Sequence, residues 1–380
     1  MEERGGIMRI LIAMDSFKGS LGSMEAGAAV KEAALKIYPD ARVTVRPMAD
    51  GGEGTTQTLA AGMPSRKVTV TVAGPRMDPV EAEYCILTET NTAVIEMAAA
   101  SGLTLLPSEK RDPMETTTYG VGQMILDAME KGCRQFLVGI GGSATNDGGT
   151  GMLTALGYRF LDGEGKPVPL CGKGLENLRK IDTEKVCPTL KECTFRIACD
   201  VTNPLCGEKG CSHVFGPQKG ATPEAIEKMD GWLQNYALLA GADKEQPGAG
   251  AAGGLGYGFL AFTNATLDSG VQTVLEVTRL EEDIREADLV ITGEGRLDGQ
   301  TVMGKAPIGV AKLAKKYGKP VIAFAGCVTE DATACNEQGI DAYFPILRGI
   351  STLEEALDPE TARQNLFATA CQVFRLLQMR

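Results

Sequence analysis

The chain of 380 residues is 43% hydrophobic and 23% charged, which is enough apolar material for two globular domains with separate cores. Its formal net charge is −11, and it has no basic stripe with interleaved aromatic residues, so the sequence argues against a nucleic-acid-binding protein. The longest weakly charged stretch, residues 248–267, is too rich in glycine and polar residues to predict a membrane span.

The eleven cysteines indicate reduced, buried thiols and no disulfide framework. Their number is odd, no two have the C-x-x-C spacing, and Cys85, Cys133 and Cys199 lie in aliphatic stretches. The N-terminal segment MEERGGIMRILIAMDS carries acidic residues ahead of a short apolar run, which is unlike a signal peptide. We therefore expect a cytoplasmic protein.

The N-terminal part of the chain predicts parallel βαβ units. Residues 8–14 form an unbroken apolar run typical of a buried strand, and residues 23–37 have helical periodicity with Ser23 as the predicted N-cap. A second strand is predicted over 42–48, followed by a helix that begins after the glycines of 51–54.

The middle of the chain has a different pattern. Three apolar segments follow in close succession, KVTVTVAG, VEAEYCIL and TAVIEMA, and two of them alternate with a period of two. This alternation predicts an antiparallel or mixed sheet. Further along, we predict helices over 118–131, 222–240 and about 250–264, with strands over 136–142 and 194–200.

From Ala287 onward, strands and helices alternate regularly again, ending in a long helix over about 359–378. The two ends of the chain therefore share one pattern and the middle has another. We predict an α/β protein of two domains. Residues 1–70 plus 286–380 would form a discontinuous Rossmann-like domain with a parallel sheet, and residues 71–285 a mixed-sheet α/β domain inserted into it.

Five predicted strand ends carry glycines and acidic or polar residues. Ligands of open parallel sheets bind outside the carboxyl ends of the strands, so five such ends in one chain predict a shared site. The segments are DSFKGS (15–20), MADGGEG (48–54), GIGGSATNDGG (139–149), ACDVTNPL (198–205) and GEGRLDGQTVMGKAP (293–307).

Two of these segments match known nucleotide fingerprints only in part. Residues 139–144 fit the dinucleotide signature G-x-G-x-x-A, but the following TNDGG delays the helix that should receive the pyrophosphate. Residues 299–305 fit G-x-x-x-x-G-K but lack the serine or threonine that would hold magnesium. A glycine-rich stretch at 248–253, GAGAAG, is compatible with close helix packing or with a phosphate cradle.

The residue types at these strand ends suit phosphoryl transfer. That reaction requires backbone donors and cations on the phosphates, carboxylates for Mg²⁺ and an acid near the attacking hydroxyl. His213 is the only histidine, which argues against a histidine metal cluster or a serine–histidine triad. The acids are Asp15, Asp50, Glu53, Asp147, Asp200, Glu294 and Asp298, and the cations are Lys18, Lys219, Arg296 and Lys305. For any single aspartate, a turn or capping role is the alternative.

From Met8 to about Gly326, these loops closely resemble the bacterial glycerate kinase family, in its type I, garK-like class. The resemblance is carried in order by DSFKGS, PMADGGEGT, IEMAAASGL, TTTYGVG, IGGSATNDGG, ACDVTNPL, FGPQKGAT, PGAGAAGGLG and LVITGEGRLDGQTVMGKAP. It implies ATP-dependent, Mg²⁺-assisted phosphorylation of D-glycerate, with 2-phosphoglycerate as the usual product. It also implies a two-domain α/β fold with the active site in the cleft between the domains.

Three alternatives stay open at this point. Nothing in the residues separates attack by the 2-hydroxyl from attack by the 3-hydroxyl, which would give 3-phosphoglycerate. The match at 139–144 favours an NAD-dependent oxidoreductase, in which Asp162 would read the ribose. A regulator that senses a hydroxy acid is the non-enzymatic alternative. The sequence is compatible with a monomer or a homodimer and predicts no nucleic-acid or membrane partner.

Roles for individual residues are hypotheses. Asp200, which is followed by Thr202 and Asn203, is the first choice for the general base or a metal ligand, and Asp50 and Glu294 come next. The proposed catalytic residues are Asp200, Lys18, Asp50 and Glu294. The proposed substrate and phosphate ligands are Ser16, Gly51, Gly52, Gly141, Gly142, Ser143, Thr145, Asn203, Arg296 and Lys305. The proposed metal ligands are Asp200, Glu294 and Asp298.

Lys18 and Arg296 are the cations expected to hold either the carboxylate of glycerate or the transferring phosphoryl group. The four loop residues from Gly141 to Thr145 that are named above are expected to supply anion-binding donors, because glycines allow a backbone to approach a phosphate closely.

Overall fold

A computed structural model describes residues 7–50 and 54–379. The predicted phosphate ligands Gly51 and Gly52, and the acid Glu53, lie outside the described residues. The strands are β1 (Arg9–Met14), β2 (Arg42–Pro47), β3 (Ser65–Ala73), β4 (Pro79–Leu87), β5 (Thr92–Glu96), β6 (Gln135–Gly139), β7 (Arg159–Leu161), β8 (Lys180–Asp182), β9 (Thr194–Ala198), β10 (Ala265–Asp268), β11 (Leu289–Leu297), β12 (Val321–Val328) and β13 (Ala342–Pro345).

The α-helices are α1 (Ser23–Ile37), α2 (Thr55–Gly62), α3 (Ala98–Ser101), α4 (Tyr119–Glu130), α5 (Thr150–Ala155), α6 (Cys211–Phe215), α7 (Pro223–Ala240), α8 (Ala251–Phe262), α9 (Gly270–Val277), α10 (Leu280–Glu286), α11 (Ala306–Lys316), α12 (Ala334–Glu337), α13 (Leu353–Leu357) and α14 (Pro359–Gln378). Short 3₁₀ turns lie at Leu103–Leu105, Ser108–Lys110, Gly172–Asn177, Pro188–Glu192, Pro217–Lys219, Thr301–Met303 and Glu330–Thr333.

The described residues fall into two compact units. The first unit contains the described parts of Met1–Asp50, Gln57–Met63 and Val271–Arg380, and the second those of Gly51–Thr56 and Pro64–Gly270. The domain boundaries expected from the sequence, 1–70 plus 286–380 and 71–285, remain a prediction, and each unit is described by itself below.

The first unit is built on a five-stranded parallel sheet with the strand order β13-β12-β11-β1-β2. Its buried aliphatic strands explain the continuous apolar runs of the sequence, because both faces of a parallel sheet are covered. Ile10 and Ile12 of β1 lie in a core that also takes in Leu366 and Phe374 of α14. The predicted α/β fold class, with a parallel sheet, is confirmed. The order β11-β1-β2 places the carboxyl ends of three adjacent strands at one edge.

The second unit is built on a six-stranded mixed sheet with the order β10-β9-β6-β5-β4-β3. The pairs β3–β4 and β4–β5 are antiparallel, and β5, β6, β9 and β10 run parallel to one another. This explains why the middle of the chain alternates with period two in β3 and becomes continuously apolar in β6. Phe136 of β6 stacks on Phe195 of β9 with ring centroids 4.8 Å apart, in the core of this unit. The predicted mixed sheet is confirmed.

Ser23 does not cap α1 as predicted. The N-cap is Gly22, whose N–H donates to the Glu25 carboxylate at 2.8 Å. The Ser23 hydroxyl instead donates to the carbonyl of Met14 at 2.7 Å and accepts from the N–H of Met48 at 2.9 Å. Since Met14 ends β1 and Met48 follows β2, the serine ties two neighbouring strand ends together, a contact that local sequence does not reveal.

All eleven cysteines are free thiols. Among the residues for which the structure gives positions, no helix has both the length and the apolar character needed to cross a membrane.

The GAGAAG stretch enters α8 through a left-handed turn at Ala252, Gly253 and Gly254, with φ angles of 54°, 66° and 86°. The carbonyl of Gly253 accepts the N–H of Gly148 at 3.0 Å. A Cβ atom on Gly253 would lie 2.0 Å from the carbonyl oxygen of Thr145. The glycine therefore allows the backbone of α8 to touch the loop after β6, which supports the close-packing interpretation of this stretch.

Replacing Gly253 by alanine should destabilise the protein by about 3 kcal/mol, because the new Cβ meets backbone and the φ angle is left-handed. Chemical denaturation measures this change. Gly231→Ala is the matched control, since its Cβ would meet nothing within 4 Å in the exposed middle of α7. We expect Gly231→Ala to raise the free energy of unfolding by about 0.5–1 kcal/mol. Equal effects of the two substitutions would contradict the packing described here.

Candidate active site

The loop after β6 presents backbone N–H groups at the carboxyl end of the strand. Gly142 has a left-handed φ of 71°, and a Cβ on Gly141 would meet nothing within 4 Å. Within the described part of the chain, the N–H groups of both glycines have no acceptor, whereas the carbonyl of Gly142 accepts from Leu103 at 2.9 Å. The loop is thus fixed through its carbonyl and keeps two donors available for an anion.

This loop is not followed directly by a helix. The helix α5 begins only at Thr150, six residues after the last position of the G-x-G-x-x-A match at Ala144. A dinucleotide site needs the helix N-terminus at the pyrophosphate. The local structure therefore removes the main support for the oxidoreductase alternative.

Asp147 holds the second half of the loop in place. Its carboxylate is fully buried and accepts four hydrogen bonds. Thr118 donates its N–H and its hydroxyl, each at 2.8 Å, Gly149 donates its N–H at 3.0 Å, and Gly151 donates its N–H at 3.2 Å. Burial raises the pKa of Asp147, and these donors act in the opposite direction by stabilising the charged form.

Lys219 holds the first half of the loop. Its side chain is 1% exposed, and its ammonium donates to the Ser143 hydroxyl at 2.8 Å and to the Thr145 carbonyl at 2.7 Å. Burial lowers the pKa of Lys219 from 10.5 to about 8, although the nearby Cys211 and Asp147 act to raise it. Burying a lysine is unfavourable in free energy unless its ammonium is hydrogen-bonded, and here its two hydrogen bonds hold Ser143 and Thr145 of the loop in place.

A cavity of about 250 Å³ opens beside the loop. Its polar lining includes Gly141, Gly142, Ser143 and Lys219, together with Asp200. Of the predicted site residues in this unit, the structure thus brings together the glycines, the serine and the aspartate.

Asp200 lies just beyond β9 and is exposed. One carboxylate oxygen accepts the N–H of Gly270 at 3.0 Å. The side-chain amide of Asn203 donates to the carbonyl of Lys209 at 2.9 Å and so stabilises the loop that contains both residues. Thr145 is fully buried and offers its carbonyl to Lys219. The roles assigned to these residues from the sequence remain predictions.

In the first unit, Asp15 lies directly after β1 and is 7% exposed. One of its carboxylate oxygens accepts the N–H of Ser16 at 2.6 Å. Burial raises the pKa of Asp15 to about 7, and the charges of Asp50 and Glu294 add to this rise, while Lys18 opposes it. The exposed ammonium of Lys18 lies 3.4 Å from the Asp50 carboxylate. The ends of β1 and β2 and the adjacent strand β11 therefore place acids and a lysine together.

The strand β11 continues to Leu297, so Glu294 and Arg296 lie within it and not beyond its end. The buried Glu294 carboxylate accepts the hydroxyl of Thr301 at 2.7 Å. Burial raises the pKa of Glu294, while Thr301 and Lys305 act to lower it. The Arg296 guanidinium lies 3.3 Å from Asp298, and the Lys305 ammonium lies between Glu294 and Asp298, 3.7 and 3.5 Å away.

Partial burial acts to raise the pKa of Asp298, but Lys305 and the N–H groups of Gln300 and Thr301 outweigh it and keep the pKa below its usual range. Asp298 is therefore ionised at neutral pH. In the described ranges, 7–50 and 54–379, no group of three or more His, Cys, Asp or Glu side chains is arranged to hold a metal ion. Mg²⁺ in kinases is commonly bound by one or two carboxylates together with phosphate oxygens. The oxygen donors of Glu294 and Asp298 fit Mg²⁺ bound in that way.

His213 does not take part in a nucleophilic triad. Its ring nitrogens lie 3.2 Å from the Glu227 carboxylate and 3.6 Å from that of Asp230. The histidine on α6 thus lies beside two carboxylates of α7.

Sequence reasoning marked Asp147 and Lys219 as charged candidates but gave neither of them a role. Each is hydrogen-bonded to a residue far away in the chain. Asp147 accepts from Thr118, 29 positions away, and Lys219 donates to Ser143, 76 positions away. No motif spacing carries that information.

Comparisons with known proteins identify the family of the chain. The model of the Glycerate kinase family matches residues 10–378. The chain belongs to the glycerate kinase family. The resemblance inferred from the loops and the prediction of a phosphotransferase are thereby confirmed.

Among the relatives, a glycerate kinase of Haemophilus influenzae is 47% identical over 375 residues, covering 97% of this chain and 99% of the relative. The glycerate 2-kinase of Escherichia coli is 48% identical over 354 residues, covering 92% and 93%. A crystal structure from Salmonella typhimurium LT2, provisionally named glycerate kinase 2, has a TM-score of 0.91 at 45% identity and covers 98% of this chain and 99% of that one.

The buried charge of Lys219 predicts a specific pH dependence of stability. Between about pH 8 and 10.5, the unfolded chain keeps a proton on this lysine that the folded chain has released. The free energy of unfolding of the parent should therefore rise across this window, relative to that of Lys219→Met, by about 3 kcal/mol. Urea unfolding of both proteins between pH 7.5 and 10.5 measures the difference.

Lys228→Met is the control for this experiment, because Lys228 pairs with Glu224 on the surface of α7. Between about pH 8 and 10.5, the free energy of unfolding of the parent should show no comparable rise relative to that of Lys228→Met. A difference between the parent and Lys219→Met that stays constant with pH would show that burial does not lower the pKa of Lys219.

Proposed function

We propose that the protein transfers the γ-phosphoryl group of ATP to the 2-hydroxyl of D-glycerate, yielding 2-phosphoglycerate and ADP. Membership of the glycerate kinase family supports the acceptor, and the glycerate 2-kinase of Escherichia coli, at 48% identity over most of both chains, supports the position of attack. The observation that carries the proposal is the loop after β6, whose unpaired N–H groups are held in place by two buried, oppositely charged side chains.

The reaction places developing negative charge on phosphate oxygens, and preorganised donors stabilise it best. The N–H groups of Gly141 and Gly142 are fixed before any ligand binds, because Lys219 holds Ser143 and Thr145 beside them. We assign them to the phosphates of ATP. The free-energy cost of ordering these N–H groups therefore falls on folding and does not add to the activation barrier.

Lys18, Arg296 and Lys305 are the cations assigned to the carboxylate of glycerate or to the transferring phosphoryl group, and Ser16 is an additional ligand. The side chains of Lys18 and Arg296 are exposed, so both can move toward a bound anion. Glu294 and Asp298 would hold Mg²⁺, which when bound neutralises charge on the phosphate oxygens.

In the chemical step, the 2-hydroxyl oxygen forms a bond to the γ-phosphorus while the bond from that phosphorus to the bridging oxygen of ADP breaks. The hydroxyl proton passes to a carboxylate. Asp200 is the first choice for this base, because it lines the cavity beside the anion-binding loop, and Asp50 and Glu294 are the alternatives.

Incubating the protein with ATP, Mg²⁺ and D-glycerate should produce ADP and a single phosphoester, which phosphorus NMR identifies as 2-phosphoglycerate. L-glycerate, hydroxypyruvate and glycerol serve as comparison substrates and should react much more slowly. Formation of 3-phosphoglycerate would contradict the position of attack. No ADP with D-glycerate under any divalent metal would contradict the proposed function as a whole.

Asp200→Asn should lower kcat by about 10²- to 10³-fold, because the substitution removes the negative charge that interacts with the transition state and keeps the shape of the side chain. Steady-state kinetics with D-glycerate measure the effect. Asp40→Asn, in the exposed turn between α1 and β2, is the control and should leave kcat unchanged. Near-normal turnover of Asp200→Asn would reject its role as base or metal ligand and leave Asp50 and Glu294 to be tested.

A further inference from the structure

The cavity beside the loop after β6 has an apolar lining that phosphate binding does not explain. Its volume of about 250 Å³ is bounded on the apolar side by Ala198, Val201, Phe215, Ala251 and Ala252. These residues come from the end of β9 and the loop after it, from α6 and from the start of α8. Apolar walls next to a few fixed polar groups are typical of sites for organic ligands.

Glycerate does not match the apolar side of this cavity. It is a three-carbon anion with oxygen on every carbon, so it gains little from apolar walls. Lys219, the basic residue in the lining, already gives two of its three N–H donors to the protein, so it has one donor left for an anion. A larger ligand with an uncharged, aromatic part suits the cavity better.

The wall is held in a fixed shape. Ala252 has a left-handed φ of 54°, a strained conformation for a residue with a side chain. The adjoining Gly253 packs against the loop after β6 and fixes this turn. This packing fixes the position of the N–H donors of the loop relative to the apolar wall at the start of α8.

We propose that this cavity is the nucleotide site. The purine nucleoside of ATP lies against Phe215 and Val201, and its phosphates bind the N–H groups of Gly141 and Gly142 and the remaining donor of Lys219. The half-buried ring of Phe215 offers an aromatic face for the base. This inference rests on the proposed function, in that it takes the phosphoryl donor to be ATP.

Phe215→Ala separates the nucleoside contact from the phosphate contact. Loss of one base–aromatic contact should weaken ADP binding by roughly 5- to 150-fold, measured by isothermal titration calorimetry on the full chain. Binding of inorganic tripolyphosphate, which has no base, should change less than about 2-fold, and so should the KM for D-glycerate. Retention of tripolyphosphate binding also shows that the variant is folded.

Val214→Ala is the matched control, since Val214 precedes Phe215 on α6, is 45% exposed and does not line the cavity. It should bind ADP as the parent does. Parent-like ADP affinity of Phe215→Ala, equal losses of ADP and tripolyphosphate, or a rise in the KM for D-glycerate alone would each overturn the assignment. So would a parent protein that binds no ADP.

The two proposals fail separately. A parent that phosphorylates D-glycerate with ATP, together with a Phe215→Ala variant of unchanged ADP affinity, rejects the nucleotide site and keeps the function. A parent that does not turn over D-glycerate, but whose ADP affinity depends on Phe215, rejects the function and keeps the site.

Discussion

The buried carboxylate of Asp147 is the constraint on which the candidate site depends. It accepts four hydrogen bonds, from the backbone and hydroxyl of Thr118 and from the backbones of Gly149 and Gly151. Hydrogen bonds to a charged group contribute about 1.5–3 kcal/mol each, and a buried charge without them is strongly unfavourable. The start of α4 and the start of α5 therefore have one common anchor, and the loop between β6 and α5 cannot move without breaking it.

Lys219 balances this negative charge from the other half of the loop. Its ammonium donates hydrogen bonds to the Ser143 hydroxyl and the Thr145 carbonyl, so these two acceptors face the protein interior. The N–H groups of Gly141 and Gly142 have no acceptor among the described residues, and we propose that they bind the phosphates of ATP. A loop fixed in this way needs little reorganisation when charge develops on a phosphate, which is the main source of electrostatic catalysis. The left-handed turn at the start of α8 completes the support, because Gly253 packs directly against the loop.

Much of the fold follows from the sequence, because buried parallel strands such as β1 and β6 require continuous apolar runs and a half-exposed strand such as β3 requires alternation. The family also follows, since its motifs lie in order along the chain. The contacts that organise the site do not. Ser23 was misread as an N-cap because local pattern cannot show that its hydroxyl bridges Met14 and Met48. The role of Lys219 depends on a contact across 76 residues, which no local motif encodes.

Hydrogen exchange of residues 148–152 tests the central claim, that the loop is rigid before any ligand binds. All five of their N–H groups are hydrogen-bonded within the protein. Mass spectrometry of the ligand-free parent should show this segment protected, and Asp147→Asn should make it exchange on the order of 100-fold faster while Val321–Val328 of β12 stays protected. Exchange of the ligand-free parent segment at the rate of an unstructured peptide, or no change in the variant, would contradict the claim.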